Sequence, residues 1–402
     1  MTSSTASSPV VIYASAGKLL RVYALDMKTG ALEVRQTLPA LENDVHYVAV
    51  HPNRKYLYVS CSELPPPENR PYVNVIHAFS IDGRTGALTT IGATYTSPLS
   101  RAIHISVDNT GSYLLMAHNF AESVSALHLN ADGTLGEPVK QPEERQHLGF
   151  LVHQIRVDPS NRWVFVPVRG SDAKAATGGD KQPAEPEKLG HLAIFDFHDG
   201  VLQKHAVMDY PSGLGPRHLD FHPSKPWVYL ALERGSRLLT YKHENGVLTQ
   251  LFDTTTLRDP SAMSIPSTFQ GVGPIQVHPS GKWVYVANRY PPSKMPPLPA
   301  SHHGAGENDV AVFSIDAATG EPKLIQNIDT HGMTPRTMTI DPTGHFLVVA
   351  NQFEGIGVDG AKVPPNLSVF GIGDDGRLTY VRTYDQTDGD AWWVGAMALP
   401  SL

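Results

Sequence analysis

Seven copies of one polar turn, each closed by a glycine, divide this chain of 402 residues into repeating units. Each copy follows an extended apolar run, such as residues 21–25, and precedes another extended run. The seven glycines are Gly30, Gly86, Gly133, Gly200, Gly246, Gly320 and Gly376. A repeat with a period of tens of residues is typical of arrays in which each unit buries its apolar face against the next. The sequence therefore predicts a repeat protein made of β-strands.

A second turn, which begins at a histidine or an aspartate, lies between the glycine turns. Its six copies begin at His51, Asp108, Asp158, His222, His278 and Asp341, at intervals of 50 to 64 residues. A seventh copy is missing because the two ends of the chain share one unit. Residues 391–400 align with the first strand of a repeat at 333–342, and the chain begins with a second strand at 10–13. Such sharing closes a circular array and removes its open edges.

Four strands in each of seven units predict an all-β fold, a seven-bladed β-propeller with four antiparallel strands per blade. The first blade is closed by the C-terminal strand. Length alone would suggest two or three domains. The unbroken repeat instead predicts a single domain over residues 1–402, with a disordered N-terminal tail over residues 1–9.

Composition excludes several classes of partner. The net charge of −7 disfavours a nucleic-acid partner, which would favour a basic surface. No apolar run reaches 18 residues, so no membrane partner is expected. The Ser/Thr-rich start lacks the apolar segment of a secretion signal. Cys61 is the only cysteine, so an intrachain disulfide is impossible. We expect a cytoplasmic protein.

The long insertions all fall between the second and third strands of their units. They lie at residues 63–71, 170–190, 290–309 and 353–365. Because they occupy the same point of the repeat, they should rise over the same face of the propeller. Long loops on a rigid scaffold usually carry function. That face is therefore the predicted functional face.

Two columns of polar residues are predicted to converge there, at one mouth of the central channel. The fifth position before the His/Asp turn should share a strand face with apolar positions, because side chains alternate with period two. It reads His46, Ile103, His153, Arg217, Gly273 and Arg336. The column that ends the second strands reads Ser62, Asn119, Arg169, Glu233, Arg289 and Gln352, with His118, Asn288 and Asn351 as neighbours.

The ring is rich in Arg and His, and Glu233 is its clearest carboxylate. Buried arginines are costly without a counter-ion, so the excess of cations predicts an anionic ligand. The alternative for any one residue is an ordinary salt bridge, and Arg217 and Glu233 could simply pair with each other. His51, His222 and His278 should lie on the opposite face as turn caps.

No cofactor and no metal are expected. The chain has no P-loop, no G-x-S-x-G elbow, no H-E-x-x-H and no C-x-x-C. A Ca²⁺ site would need several carboxylates among its oxygen ligands, and here arginines dominate. The sequence thus gives no support for a serine esterase, a nucleotide enzyme or a zinc protease.

At these residues the chain resembles the seven-bladed β-propeller lactonase family, of the 6-phosphogluconolactonase and 3-carboxy-cis,cis-muconate lactonising enzyme type. The segments that carry the resemblance are 215–219 (Gly-Pro-Arg-His-Leu), 229–233 (Tyr-Leu-Ala-Leu-Glu), 286–289 (Val-Ala-Asn-Arg), 334–336 (Thr-Pro-Arg) and 349–352 (Val-Ala-Asn-Gln). It covers nearly the whole chain. The resemblance implies a catalytic set of His153, Arg217, Glu233 and Arg289.

The expected function is a lactonase that hydrolyses a carboxylate- or hydroxyl-rich lactone of the sugar-acid type. The expected partner is thus a small anionic or polyhydroxy lactone. The predicted substrate-binding residues are His46, His104, His118, Arg169, His218, Asn288, Arg336, Asn351 and Gln352. Two alternatives stay open: a muconate-type lactonising cycloisomerase, which uses the reverse chemistry, and a propeller that binds a partner without catalysis.

Overall fold

The structure is a computed structural model that describes residues 8–63, 73–142, 148–171, 187–260, 270–290, 306–356 and 361–400. Within these ranges every regular element is a β-strand, and no helix there could cross a membrane. The first sixteen strands are β1 (Val10–Ala16), β2 (Leu19–Leu25), β3 (Leu32–Thr37), β4 (Asp44–Val50), β5 (Tyr56–Ser62), β6 (Asn74–Ile81), β7 (Leu88–Thr90), β8 (Tyr95–Ser97), β9 (Ala102–Val107), β10 (Tyr113–His118), β11 (Ser123–Leu129), β12 (Leu135–Pro138), β13 (Arg156–Val157), β14 (Trp163–Val168), β15 (His191–His198) and β16 (Val201–Asp209).

The remaining strands complete the last three blades and return to the first. They are β17 (Pro216–Phe221), β18 (Trp227–Leu232), β19 (Arg237–Glu244), β20 (Val247–Thr255), β21 (Gly271–Val277), β22 (Trp283–Arg289), β23 (Asp309–Ile315), β24 (Pro322–Asp329), β25 (Met333–Ile340), β26 (Phe346–Phe353), β27 (Gly355–Ile356), β28 (Lys362–Val363), β29 (Asn366–Ile372), β30 (Leu378–Asp385) and β31 (Val394–Ala398).

These strands form seven four-stranded antiparallel blades, which confirms the predicted propeller. From the inner strand outward the blades are β31-β1-β2-β3, β4-β5-β6-β7, β9-β10-β11-β12, β13-β14-β15-β16, β17-β18-β19-β20, β21-β22-β23-β24 and β25-β26-β29-β30. Strand β8 adds to β6 in blade 2, and β27 and β28 form a hairpin within the insertion after β26. The C-terminal strand β31 pairs with β1, with Ile12 opposite Ala396, so it closes the first blade as predicted.

All four insertions follow the second strand of their blade, as the sequence predicted. Most of their residues lie outside the described ranges, namely 64–72, 172–186, 291–305 and 357–360. Of the predicted N-terminal tail, residues 1–7 also lie outside them, and Ser8 and Pro9 lead into β1.

Apolar side chains are buried between neighbouring blades rather than within one central core. Tyr13 and Phe79 belong to the cluster between blades 1 and 2, and Ile12 and Val348 belong to the one that joins blade 7 to blade 1. Each of these side chains is at most 1% exposed. Burial of such a side chain contributes roughly 1.5–3 kcal/mol, so each interface needs both of its blades. Seven such clusters among the described residues join the blades into a closed ring.

The seven turn glycines lie where the sequence placed them, between the third and fourth strands, with φ between 70° and 81°. This left-handed conformation favours glycine. Each turn also packs closely on the preceding blade. The Tyr285 hydroxyl donates to the Gly376 carbonyl at 2.9 Å, and a Cβ on Gly376 would lie 2.3 Å from the Trp283 ring. Glycine is thus required both by the backbone and by the neighbouring indole.

The histidines of the second turn cap their own turn and also bind the next blade. The Ser280 amide donates to His278 Nδ1 at 3.1 Å, so the proton lies on Nε2, which donates to the Gly344 carbonyl of the next blade at 2.9 Å. His51 and His222 repeat the arrangement with Gly111 and Gly281. The predicted capping role is confirmed.

Polar side chains of the inner strands satisfy the backbone edge of the next inner strand. The Val277 amide donates to Asp220 Oδ2 and the Ile340 amide to Gln276 Oε1, both at 2.8 Å. The same link joins blade 7 to blade 1, where the Ala396 amide donates to Thr339 Oγ1 at 3.0 Å. Unpaired strand edges facing the channel are costly, and these bonds remove part of that cost.

We expect Gly376→Ala to destabilise the protein by about 1–3 kcal/mol, because alanine must adopt a left-handed φ and meet Trp283. Urea unfolding measures the change. Gly371→Ala in the same blade is the control, since its φ is ordinary and the nearest atom to a Cβ there lies at 4.0 Å. Equal stability of the two variants would contradict the role given to this turn.

Candidate active site

A one-residue bulge in the inner strands creates the ring of polar side chains. The pairing register shifts between Val45 and Tyr47 in β4, Pro216 and His218 in β17, and Pro335 and Thr337 in β25. The extra residues in β4, β9, β17, β21 and β25 are His46, Ile103, Arg217, Gly273 with Pro274, and Arg336. Most residues of the predicted inner-strand column are therefore the bulged residues. Their position comes from the bulge and not from strict alternation, which the bulge interrupts.

Glu233 is the centre of a cluster of arginines from three blades. It follows β18, and its carboxylate contacts Arg289 at the end of β22. Arg169 lies just beyond the end of β14, and its Nε is 2.7 Å from Glu233 Oε2. The pair is an ion pair without a hydrogen bond, because the N–H does not point at the oxygen. Arg217 Nε lies 3.5 Å from the same oxygen. The two predicted columns therefore meet, as the sequence indicated.

Two glycines in the inner strand of blade 6 leave space for this cluster. A Cβ on Gly271 would lie 3.0 Å from the Glu233 carbonyl oxygen and 3.3 Å from its Cγ. A Cβ on Gly273 would lie 3.4 Å from Arg289 Cδ. Gly273 has no side chain at its position in the polar column, and the Arg289 side chain lies next to that position.

The cluster carries more positive than negative charge. Four arginines (Arg169, Arg217, Arg289 and Arg336) surround one carboxylate. Burial alone would raise the pKa of Glu233, but the arginines together hold it well below its usual range. Burial and the neighbouring Arg289 push the pKa of Arg217 well below its usual range, and the same causes lower the pKa of Arg336 to about 9. An anion bound here would relieve the repulsion between the guanidinium groups.

Three buried imidazoles lie in contact beside the arginines. The His153 and His218 ring centroids are 5.0 Å apart, and those of His218 and His104 are 5.9 Å apart. Burial, and after it the charge of Arg217, holds the pKa values of His153 and His218 well below the usual range. Burial and the charge of Arg156 lower the pKa of His104 in the same way. All three rings are therefore neutral at pH 7.

The hydrogen bonds of two of these rings differ. Arg217 donates to His218 Nδ1 at 3.3 Å, so His218 orients a guanidinium. His153 Nδ1 is buried and has no hydrogen-bond partner among the described residues. A neutral ring nitrogen without a partner can accept a proton from a bound water. His153 is therefore a candidate base, as is His46, whose Nδ1 is likewise buried and unpartnered among the described residues.

Three predicted substrate-binding residues lie outside the cluster. His118, Asn288 and Asn351 are fully buried, and their side chains bind within the blades. His118 contacts the Ser100 carbonyl and Ser125 Oγ, Asn288 bonds Asp309 and Thr256, and Asn351 bonds Asn366, Ser368 and Thr330. Asn288 and Asn351 precede ring positions Arg289 and Gln352, so alternation directs them the other way. That they bind substrate stays an untested prediction.

His46 and Gln352 lie near the mouth with one side-chain nitrogen each that is buried and unpartnered among the described residues. His46 Nε2 is 3.2 Å from the Ser62 carbonyl, which can only accept, so Nδ1 is the unprotonated nitrogen. The Gln352 side chain is 1% exposed, and the backbone carbonyl of Gln352 accepts the Ala391 amide at 3.1 Å.

Sequence reasoning missed Trp392. Its ring lies 4.8 Å from the Arg336 guanidinium and 4.8 Å, edge to face, from His46. Its position just before β31 could have been found by the alignment of residues 391–400 with the inner strands, but that alignment was used only to close the first blade. Within the described residues, no group of three His, Cys, Asp or Glu side chains could hold a metal ion.

We expect Glu233→Gln to destabilise the protein by about 3–5 kcal/mol, because it leaves several buried guanidinium groups without their carboxylate. Chemical denaturation measures the loss. Glu244→Gln removes a surface partner of Lys242 and should cost under about 1 kcal/mol. A loss no larger than that of Glu244→Gln would show that the arginines do not depend on Glu233.

Stability should fall as the pH falls from 7.5 to 5.5. Four buried rings have pKa values well below the usual range of histidine: His46, His104, His153 and His218. As the pH falls through that usual range, these histidines bind protons in the unfolded state but not in the folded state, so the unfolded state gains stability. Asp309 and Asp390, whose pKa values burial raises to about 7 and about 6, act in the opposite direction. Thermal unfolding across this pH range measures the balance, and His46→Gln should flatten the decline. A protein more stable at pH 5.5 would contradict the assignment of neutral histidines.

The comparisons with known proteins agree with this geometry. The family model described as "Lactonase, 7-bladed beta-propeller" matches residues 4–175 and 188–356. A 6-phosphogluconolactonase of Bacillus subtilis (strain 168) is 27% identical over 83% of this chain and 84% of its own length, and one of Formosa agariphila is 26% identical over 84% and 86%. The solved structure of a Pseudomonas aeruginosa periplasmic gluconolactonase shares the fold, with a TM-score of 0.74, 21% identity and coverage of 98% and 100%. The chain belongs to the seven-bladed β-propeller lactonase family.

Proposed function

We propose that this chain is a lactonase that hydrolyses a lactone of the sugar-acid type at the mouth bearing Glu233. The observation that carries the proposal is the convergence of Arg217 and Arg289 on one carboxylate, with the neutral His153 ring packed on His218, the ring that accepts from Arg217. Family membership and relatives named 6-phosphogluconolactonase and gluconolactonase support the same chemistry.

His153 is the general base in this proposal. Water attacks the lactone carbonyl carbon while the His153 ring accepts a proton from it. The carbonyl oxygen becomes an oxyanion, the ring C–O bond breaks, and the proton passes to the leaving oxygen to give a hydroxy acid. A positioned base contributes about 10²–10⁴ in rate. Glu233 is less suited to this task, because its pKa is held very low and its oxygens face arginines.

The arginines stabilise negative charge. Arg217 is 1% exposed and is oriented by His218, so it is preorganised for the oxyanion. One such donor is worth about 10²–10³ in rate. The cationic excess favours a substrate that is anionic, with a carboxylate or a phosphate, over a neutral one. A guanidinium fork binds either group.

Two other functions are less favoured. A lactonising cycloisomerase could use the same constellation in reverse, but the relatives carry lactonase names. A binding module would not require buried neutral imidazoles next to arginines that converge on one carboxylate. A cytoplasmic location is a further part of the proposal, supported by a lone, buried Cys61 whose thiol pKa burial raises.

A panel of lactones tests the proposal. Wild type should release acid from 6-phosphoglucono-δ-lactone or glucono-δ-lactone above the spontaneous rate, followed with a pH indicator. His153→Gln keeps a polar side chain but no base, and its kcat should fall by about 10²–10⁴. The exposed His198→Gln is the control and should keep full activity. No acid from any sugar-acid lactone would end the proposal, and a fully active His153→Gln would move the base elsewhere.

A further inference from the structure

Arg336 is the one arginine of the site cluster without a carboxylate partner. Arg169, Arg217 and Arg289 all contact Glu233. Among the described residues none forms a hydrogen bond or a salt bridge with Arg336. Its recorded contact is with Trp392, whose ring centroid lies 4.8 Å from the guanidinium carbon. A guanidinium above an indole is attracted to the ring and keeps its N–H groups free at the edges.

Trp392 is itself held on several sides. The His46 ring packs edge to face against it at 4.8 Å, and the Phe353 ring lies at 6.4 Å. Its carbonyl accepts a bond from Thr337 Oγ1 at 3.4 Å, next to Arg336 in β25. The residue is 8% exposed. The indole is thus a fixed surface against which the arginine lies.

We propose that Arg336, held by Trp392, anchors the anionic group of the substrate and so selects charged over neutral lactones. Trp392 is a positioning residue, since it acts through Arg336. This inference rests on the proposed lactonase function. It separates two tasks that the cluster could have shared: Arg217 and Arg289, ordered by Glu233, act at the reacting carbonyl, and Arg336 binds the distant charge.

The charges around Arg336 favour this assignment. Arg289, Arg101 and Arg169 all repel it, and Glu233 offsets them only in part. Burial and this repulsion lower its pKa to about 9, so it stays charged at pH 7. Asp390 is another acid that interacts with Arg336, and burial raises the pKa of Asp390 to about 6. A substrate anion would complete the compensation that the protein leaves unfinished.

Two lactones with one ring and different charge test the inference. We expect Arg336→Met to lower kcat/KM for 6-phosphoglucono-δ-lactone by about 10- to 100-fold, the value of a hydrogen bond to a charged group. Its kcat/KM for neutral glucono-δ-lactone should fall by a clearly smaller factor, because that substrate carries no charge for Arg336 to bind. Arg377→Met, at an exposed arginine paired with Asp375, is the control.

Trp392 variants separate positioning from folding. Trp392→Phe keeps an aromatic face and should stay close to wild type with both lactones. Trp392→Leu should raise KM for the phosphorylated lactone and leave kcat largely unchanged. A purely structural role would instead lower the unfolding temperature and the activity on both lactones together, and that result would overturn the positioning role.

A binding measurement separates this inference from the proposed activity. 6-Phosphogluconate should raise the unfolding temperature of wild type but not of Arg336→Met. If wild type hydrolyses neither lactone yet shows this difference, the anchor stands and the lactonase proposal falls. An equal rise in both proteins, or an equal loss of kcat/KM on both lactones in Arg336→Met, would overturn the anchor.

Discussion

The pairing of the two chain ends is the interaction on which the other features depend. Strand β31 pairs with β1, the Trp393 amide donates to Ser15 Oγ, and the Leu399 amide donates to the Pro9 carbonyl. Without this closure, blades 1 and 7 would each expose an apolar face and an unpaired strand edge. The same closure brings Trp392 beside Arg336 at the channel mouth. The strand pairing that closes the ring therefore also positions Trp392 beside Arg336.

Within that ring, five of the inner strands carry one extra residue, and in β4, β17 and β25 this residue is a polar one at the channel mouth. In β17 the bulge directs Arg217 to Glu233, while the ladder with β18 continues on both sides. The side chains thus come from strands of a rigid scaffold instead of from the long insertions. Positions held this way need less ordering when a ligand binds.

Local and periodic signals were enough to predict the fold, because turns such as Gly376 and His278 depend on residues close in sequence. Glu233 and Arg289 were found because both end a second strand. The bulges were not predicted from the sequence, because they depend on how an inner strand pairs with its neighbour, as β4 does with β5 and β17 with β18. The contacts of Trp392 depend on the closed ring. Strict alternation would have directed Asn288 away from Arg289, had it been applied to neighbouring positions.

The excess of positive charge in the site gives the Glu233 carboxylate and the His153 imidazole different roles in the proposed mechanism. A carboxylate placed among several guanidinium groups is stabilised as an anion, so it loses basicity while it orders the arginines. Burial and the neighbouring guanidinium groups keep His153 neutral, and a neutral imidazole is the base in the proposed mechanism. One Glu cannot balance Arg169, Arg217, Arg289 and Arg336 together. In the proposed function, a substrate that brings its own negative charge would offset this excess of positive charge.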